Sequence, residues 1–177
     1  MAAPVIELRV EDVSRLFDPF DPFPTPSRDL SRGVEDFIAG WARELPRAAV
    51  PRLVLHVRDT LSEADIAGVP EAIAAHFKAR AGHMAGDLAE LFRIGRISLL
   101  IGLAVLAGCV IASQMIAAMA PGAFASFVAE GMIILGWVAN WRPIEIFLYE
   151  WWPIQQRQRL YERLAAMDIL IRRDLTG

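Results

Sequence analysis

The chain has 177 residues, with 18 Lys and Arg against 21 Asp and Glu, a net charge of −3, and 55% hydrophobic residues. That balance gives no basic face and so no nucleic-acid partner, and Cys109, the single cysteine, excludes a disulfide framework or a cysteine-rich metal centre within the chain. With two long apolar stretches set aside, roughly ninety residues remain before them and about thirty-five after, room for one small domain and a tail but not for a large enzyme core.

The opening MAAPVIELRV lacks the basic start and apolar core of a signal peptide, so this part is expected to be retained. Within it, VIELRV at 5–10 alternates Ile6, Leu8 and Val10 with Glu7 and Arg9, the pattern of a half-buried strand. An Asp-Pro-Phe triplet then occurs twice in FDPFDPFPTP, residues 17–26, where four prolines exclude continuous helix. Phe17, Phe20 and Phe23 are expected to tuck onto the domain, the alternative being an exposed aromatic docking strip. Thr25 followed by Pro26 reads as a helix start. Over residues 28–45, Leu30, Val34, Phe37, Ile38, Trp41 and Leu45 share one helical face, with Trp41 expected as a core anchor. Arg28, Asp29, Arg32, Glu35, Asp36 and Arg43 take the other face, and Pro46 ends the helix.

RLVLHV at 52–57 reads as a second strand, giving a βαβ unit with parallel strands. Two strands alone make a poor sheet. Another copy, a partner protein or an unrecognised strand must complete it, and that need is the main sequence argument for an oligomer. Residues 59–67 read as a linker. From Pro70 onward Ile73, Phe77, Met84, Leu88 and Leu91 recur at mostly helical spacing up to Arg96, with no proline before the apolar run that follows. A long helix is therefore expected, bent near Gly95, with Gly82, Gly86 and Gly95 weakening it without stopping it. His76 and His83 lie about 10.5 Å apart along such a helix, too far to share one metal ion. There is no Gly-rich phosphate loop, nucleophile elbow or HExxH, so no catalytic, cofactor or metal residue is assigned.

Residues 97–119, ISLLIGLAVLAGCVIASQMIAAM, hold no charge. As a helix the run is about 35 Å long, enough to cross a hydrocarbon core of about 30 Å. A second apolar stretch, 122–141, follows after Pro121. Ala104, Gly108 and Ala112 form a small-xxx-small strip on the first span that lets another helix approach, from the same hairpin or a neighbouring subunit. Glu130 falls within the second span, where an acid costs about 2.5–3.5 kcal/mol on insertion scales. It is read as an outer-interface residue, as a hydrogen-bond partner of Ser113 or Gln114, or as an ion-handling group. Trp137, Trp141, Trp151 and Trp152, with Arg142, read as a membrane-interface belt. Arg93, Arg96 and Arg142 flank the spans while the connection between them has no Lys or Arg, which puts both termini in the cytoplasm. Pro143 is expected to break or kink the helix, residues 144–151 to lie in the membrane surface, and Pro153 to close that segment. Residues 155–175 are expected to form an amphipathic helix through Leu160, Leu164, Met167 and Ile171.

The stretch LFDPFDPFPTPSRDLSRGVEDFIAGWARELP, through Asp21, Pro22, Phe23, Arg28, Asp29, Leu30 and residues 41–44, resembles a family of small uncharacterised bacterial two-span membrane proteins. That family carries Asp-Pro-x-Pro-Phe, Arg-Asp-Leu and Trp-Ala-Arg-Glu elements. The resemblance implies a two-span bacterial membrane protein and no activity.

The expected fold is a membrane α-helical hairpin with a small N-terminal α/β (βαβ) cytoplasmic domain and a C-terminal amphipathic helix. Its parts are the domain at 1–68, a lead-in helix at 69–96, spans at 97–119 and 122–141, and interfacial and cytoplasmic helices at 142–177. The expected function is that of a non-enzymatic bacterial inner-membrane protein, a scaffold or accessory subunit that contacts lipid and forms a homo-oligomer or joins a membrane protein partner. The alternatives are an ion-conducting or transport oligomer using Glu130, and a membrane enzyme with an intersubunit site.

Overall fold

The computed structural model describes residues 4–23, 27–46, 49–58, 63–119 and 122–174. Thr25, Pro26, Pro121 and residues 59–62 of the expected linker lie outside them. The described elements run β1 (Val5–Val10), a 3-10 turn (Val13–Leu16), α1 (Arg32–Glu44), β2 (Arg52–Arg58), α2 (Glu63–Ala67), α3 (Val69–Met119) and α4 (Ala123–Val138). They end with α5 (Trp141–Glu145), a π-helical turn (Ile146–Glu150), α6 (Trp151–Ala165) and β3 (Asp168–Asp174).

The first compact unit comprises residues 1–84 and 156–177. Its three strands are all parallel in the order β1-β2-β3, with Ile6 opposite Leu53 and Leu53 opposite Ile169. Because register places Ile6, Leu53 and Ile169 on one face, followed by Leu8, Leu55 and Ile171, the inward side chains of the sheet line up in rows. α1, α3 and α6 pack onto those rows through Ile38, Ala42, Ile73, Phe77, Leu160 and Leu164. The opposite face leaves Val5, Glu7, Arg9, Leu170 and Arg172 exposed. β2, the central strand, carries Leu53, Val54, Leu55 and Val57 buried on both its faces, which is why it reads as a continuous apolar run.

The third strand comes from the same chain. Residues 168–174 were expected to continue a helix, because Leu160, Leu164, Met167 and Ile171 recur at spacings of four and three. The helix instead ends at Ala165, and Ile169-Leu170-Ile171, flanked by Asp168 and Arg172, pairs with β2. Arg52 and Asp168, register partners, are joined by an ion pair of 2.9 Å. The chain thus completes its own sheet, and the incomplete-sheet argument for an oligomer falls away. A further consequence concerns topology: the connection between the parallel strands β2 and β3 contains both long apolar helices.

The second unit, residues 85–155, is an antiparallel helical hairpin. A Cβ placed on Gly95 would lie 3.0 Å from Ile146 and 3.1 Å from Phe147, one on Gly102 2.7 Å from Asn140, and one on Gly136 2.8 Å from Leu106. The helices touch through these glycines together with Cys109. Residues 141–150 do not turn away from α4 after Pro143. They carry the helical path on, with Ile146 buried and Phe147 stacked on Phe92 at 6.1 Å. Each proline is accommodated one turn earlier. Pro143 follows the turn at Ala139–Asn140, and Pro153 follows the π-helical turn, whose wider winding relieves the clash with the carbonyl of residue 149.

Two helices, Val69–Met119 and Ala123–Ala165, are long and apolar enough to cross a membrane. Within the second unit many of their apolar side chains point outward: Leu100 is 69% exposed, Ile101 60% and Phe124 80%.

Candidate functional site

The polar centre of the first unit is Glu35. The helical pattern assigns it to the outer face of α1 with Phe37 and Trp41 inside, and the structure reverses this. Glu35 is buried with Ile38, Ala39 and Ala42, whereas Phe37 and Trp41 are 41% and 50% exposed. Trp41 is therefore not a core anchor; it meets Phe37 on the outside, ring centroids 6.4 Å apart. The buried stripe of α1 is narrow, one isoleucine and two alanines beside a carboxylate.

Glu35 gathers three elements. Its Oε2 accepts hydrogen bonds from Arg80 Nη2 at 2.7 Å and Nε at 3.1 Å, and lies 3.2 Å from His76 Nε2. Its Oε1 accepts from the Tyr161 hydroxyl at 3.1 Å. His76 and Arg80, one turn apart, come from α3; Tyr161 comes from α6 and stacks on Phe77 at 6.2 Å. On the far side of the imidazole, Nδ1 lies 3.0 Å from Asp29 Oδ1 and 3.3 Å from the Leu30 nitrogen. Burial pushes the Glu35 carboxyl up, but the hydrogen bonds and charge of Arg80, helped by His76 and Tyr161, outweigh it and hold the group below its usual range. The Tyr161 phenol moves the other way, raised by burial and then by the Glu35 charge beside it. Glu35 is thus an ionised carboxylate with both oxygens engaged. As chemistry, the arrangement is a charged clasp that closes α1, α3 and α6 on one another.

Asp29 ties this clasp to the Asp-Pro-Phe segment. Its N–H donates to Asp21 Oδ2 at 2.6 Å and its carbonyl accepts from Asp18 N–H at 2.9 Å. The two triplets fold alike: Asp18 Oδ1 takes the Phe20 N–H and Asp21 Oδ1 takes the Phe23 N–H. Each Asx turn aims its phenylalanine outward, so Phe20 is 91% and Phe23 63% exposed, and only Phe17 tucks into the core. Arg28, over the Phe17 ring, donates to the Asp18 carbonyl. Arg163 donates to the Pro46 and Ala49 carbonyls.

In the hairpin the polar residue whose side chain bridges the helices is Asn140. It is buried, and its Nδ2 donates to the carbonyls of Gly102 at 3.1 Å and Gly136 at 3.0 Å. The small-residue strip lies elsewhere. Ala104 and Gly108 are exposed and Ala112 is half-buried, and nothing stands within 4 Å of a Cβ on Gly108. Within the hairpin the helices therefore do not approach along that strip, but along Gly102, Leu106, Cys109 and Ser113, whose spacings of four, three and four keep one seam facing α4. Glu130 is exposed, next to the buried Ala129, and among the described residues it makes no hydrogen bond to Ser113 or Gln114. Trp137, Trp141 and Trp152 are exposed, Trp151 donates to the Phe147 carbonyl, and Arg142 pairs with Glu145 and Glu150.

Among the described residues, no group of three or more His, Cys, Asp or Glu is arranged to hold a metal ion. No protein-family model, curated protein or solved structure matches the chain.

Proposed function

We propose that the chain is a bacterial inner-membrane protein of two spans with both termini in the cytoplasm, acting without catalysis as a self-assembling scaffold or accessory subunit. One observation carries the reading: over residues 97–119 and 122–141 most of the large side chains facing outward from the hairpin are apolar, Gln114 and Glu130 apart, while those between its helices are small or neutral. A hairpin built this way gains stability when lipid surrounds it. Arg93, Arg96 and Arg142 beside the spans support the orientation, and Trp137, Trp141 and Trp152 are placed to meet headgroups. The clasp around Glu35 supports a mechanical role, because it joins the helices that frame the domain and spends the carboxylate oxygens on doing so. The exposed Phe20, Phe23, Phe37 and Trp41 supply surface for a partner.

The test has three arms. Membranes washed in alkaline carbonate should retain the protein, tags at either end should be reached only from the cytoplasmic side, and light scattering in mild detergent should give a mass above one chain. Release by carbonate or an externally accessible tag sinks the membrane reading; a strict monomer with no co-purifying protein sinks the scaffold. The second reading, ion conduction, is favoured by Glu130 alone, an exposed carboxyl in an apolar helix. Vesicles carrying Glu130→Gln with unchanged ion flux would remove it.

A further inference from the structure

The two polar contacts of His76 Nδ1 exclude one another. The Leu30 N–H donates to Nδ1, which requires a lone pair there, whereas Asp29 Oδ1, 3.0 Å from the same nitrogen, requires a proton there. A single ring nitrogen cannot do both. Nε2 is not in question, since its neighbour Glu35 Oε2 needs a donor in either state. The groups around the ring are Glu35 from α1, Arg80 from α3, Tyr161 from α6, and Asp29 with the Leu30 amide from the segment before α1. We propose that His76 is a proton-operated latch on the Asp-Pro-Phe segment. Neutral, it accepts the buried Leu30 N–H and leaves the Asp29 carboxylate to water. Protonated, it grips Asp29 and leaves the Leu30 N–H without its acceptor.

The consequence reaches the exposed phenylalanines because Asp29 also binds Asp21 and Asp18 through its backbone, and those two aspartates form the turns that hold Phe20 and Phe23 outward. One proton thus decides whether the segment is held to α3 by a carboxylate or by a backbone amide. The idea is independent of the membrane reading and holds whether or not the hairpin enters lipid. The balance is simple: protonation adds one proton to Nδ1, no covalent bond breaks, and one hydrogen bond is exchanged for another.

The test is amide hydrogen exchange at Leu30 in the full-length protein in detergent, corrected for the intrinsic pH dependence, alongside nitrogen NMR of the His76 ring. Protection of Leu30 should fall about tenfold on acidification, the factor expected for losing one hydrogen bond, with the midpoint at which the ring takes up its proton. In His76→Gln the step should vanish. Asp29→Ala should move it to lower pH, since the imidazolium loses its carboxylate partner; the Asp29 side chain is 69% exposed, so this variant leaves the core intact even where His76→Gln does not fold. Leu30 protection that ignores the ring titration, or a midpoint unmoved by Asp29→Ala, overturns the latch.

Discussion

The first unit has an apolar core with a charged carboxylate buried at its edge; in the second, most of the large apolar side chains lie outside and an uncharged amide sits between the helices. Glu35 and Asn140 do comparable work, each joining helices through several hydrogen bonds, yet they suit different solvents. Glu35 can remain ionised because Arg80, 41% exposed at its side chain, carries part of the charge to water. Asn140 has only backbone carbonyls to satisfy and needs no counter-ion, which fits a place where one would be costly. The contrast is the one the proposed membrane reading expects: a charged residue between helices that face water, and a neutral amide between helices that face lipid.

The sharpest way to break the comparison is to remove the carboxylate. Glu35→Ala leaves the part-buried Tyr161 hydroxyl and the buried His76 Nε2 without their acceptor, and the domain should lose about 2–4 kcal/mol, measured by denaturant unfolding in detergent. Glu35→Gln keeps an acceptor and should cost less. The pH dependence has a definite sign on both sides. The Glu35 pKa is lowered on folding, so its contribution is present above the ordinary glutamate range and is lost as pH falls through the depressed folded value. The Tyr161 pKa is raised, so its contribution is complete below the ordinary tyrosine range and fades as pH climbs through the raised value. Thermal midpoints across pH should fall at both ends in the native protein, and Glu35→Gln should flatten the acid limb.

Next in size is the hairpin seam. In Gly102→Ala the new methyl would meet Asn140 Oδ1 at 2.7 Å and the Ala139 carbonyl at 3.1 Å, and backbone cannot yield as a side-chain tip can. A cost of about 1–3 kcal/mol is expected, read as faster proteolysis between the hairpin helices. Asn140→Ala removes two hydrogen bonds but opens no clash, and about 0.5–1.5 kcal/mol is expected from interhelical polar contacts of this kind. If Asn140→Ala proved the more damaging of the two, steric fit would not be what sets the seam.

Much of this was legible beforehand. Alternation marked β1, and the continuous apolar run marked β2. The proline-free stretch from Pro70 anticipated one helix through Met119. What escaped notice did so for physical reasons. β3 was hidden because Met167 and Ile171 fall where a helix would also put apolar residues, and only the adjacent Ile169-Leu170-Ile171 signalled a strand. Glu35 was hidden because hydrophobic periodicity assumes that a buried helix face is apolar; a carboxylate beside Ile38, Ala39 and Ala42 breaks that assumption, and no spacing rule links it to His76, 41 residues away. His76 was weighed only against His83 as a metal ligand, so the partner that mattered lay in another helix. Asn140 carries no signal of its own beside the Trp belt, and its burial depends on Gly102, 38 residues earlier.

The smallest effect expected is the most discriminating. A methyl on Gly108 meets nothing within 4 Å, so Gly108→Ala should leave the hairpin intact and, by removing a helix-weakening glycine, raise its stability by a few tenths to about 1 kcal/mol. Gly102→Ala on the same helix should do the reverse, and the pair separates the seam used inside one chain from the strip it leaves outward. Light scattering in mild detergent then gives the outward strip its own measurement. If Gly108→Ile leaves monomer stability unchanged but lowers the mass of the assembly, Ala104, Gly108 and Ala112 face a second chain. If it changes neither, the strip faces no second chain, and any assembly forms elsewhere, with the aromatic residues of the domain the first place to look.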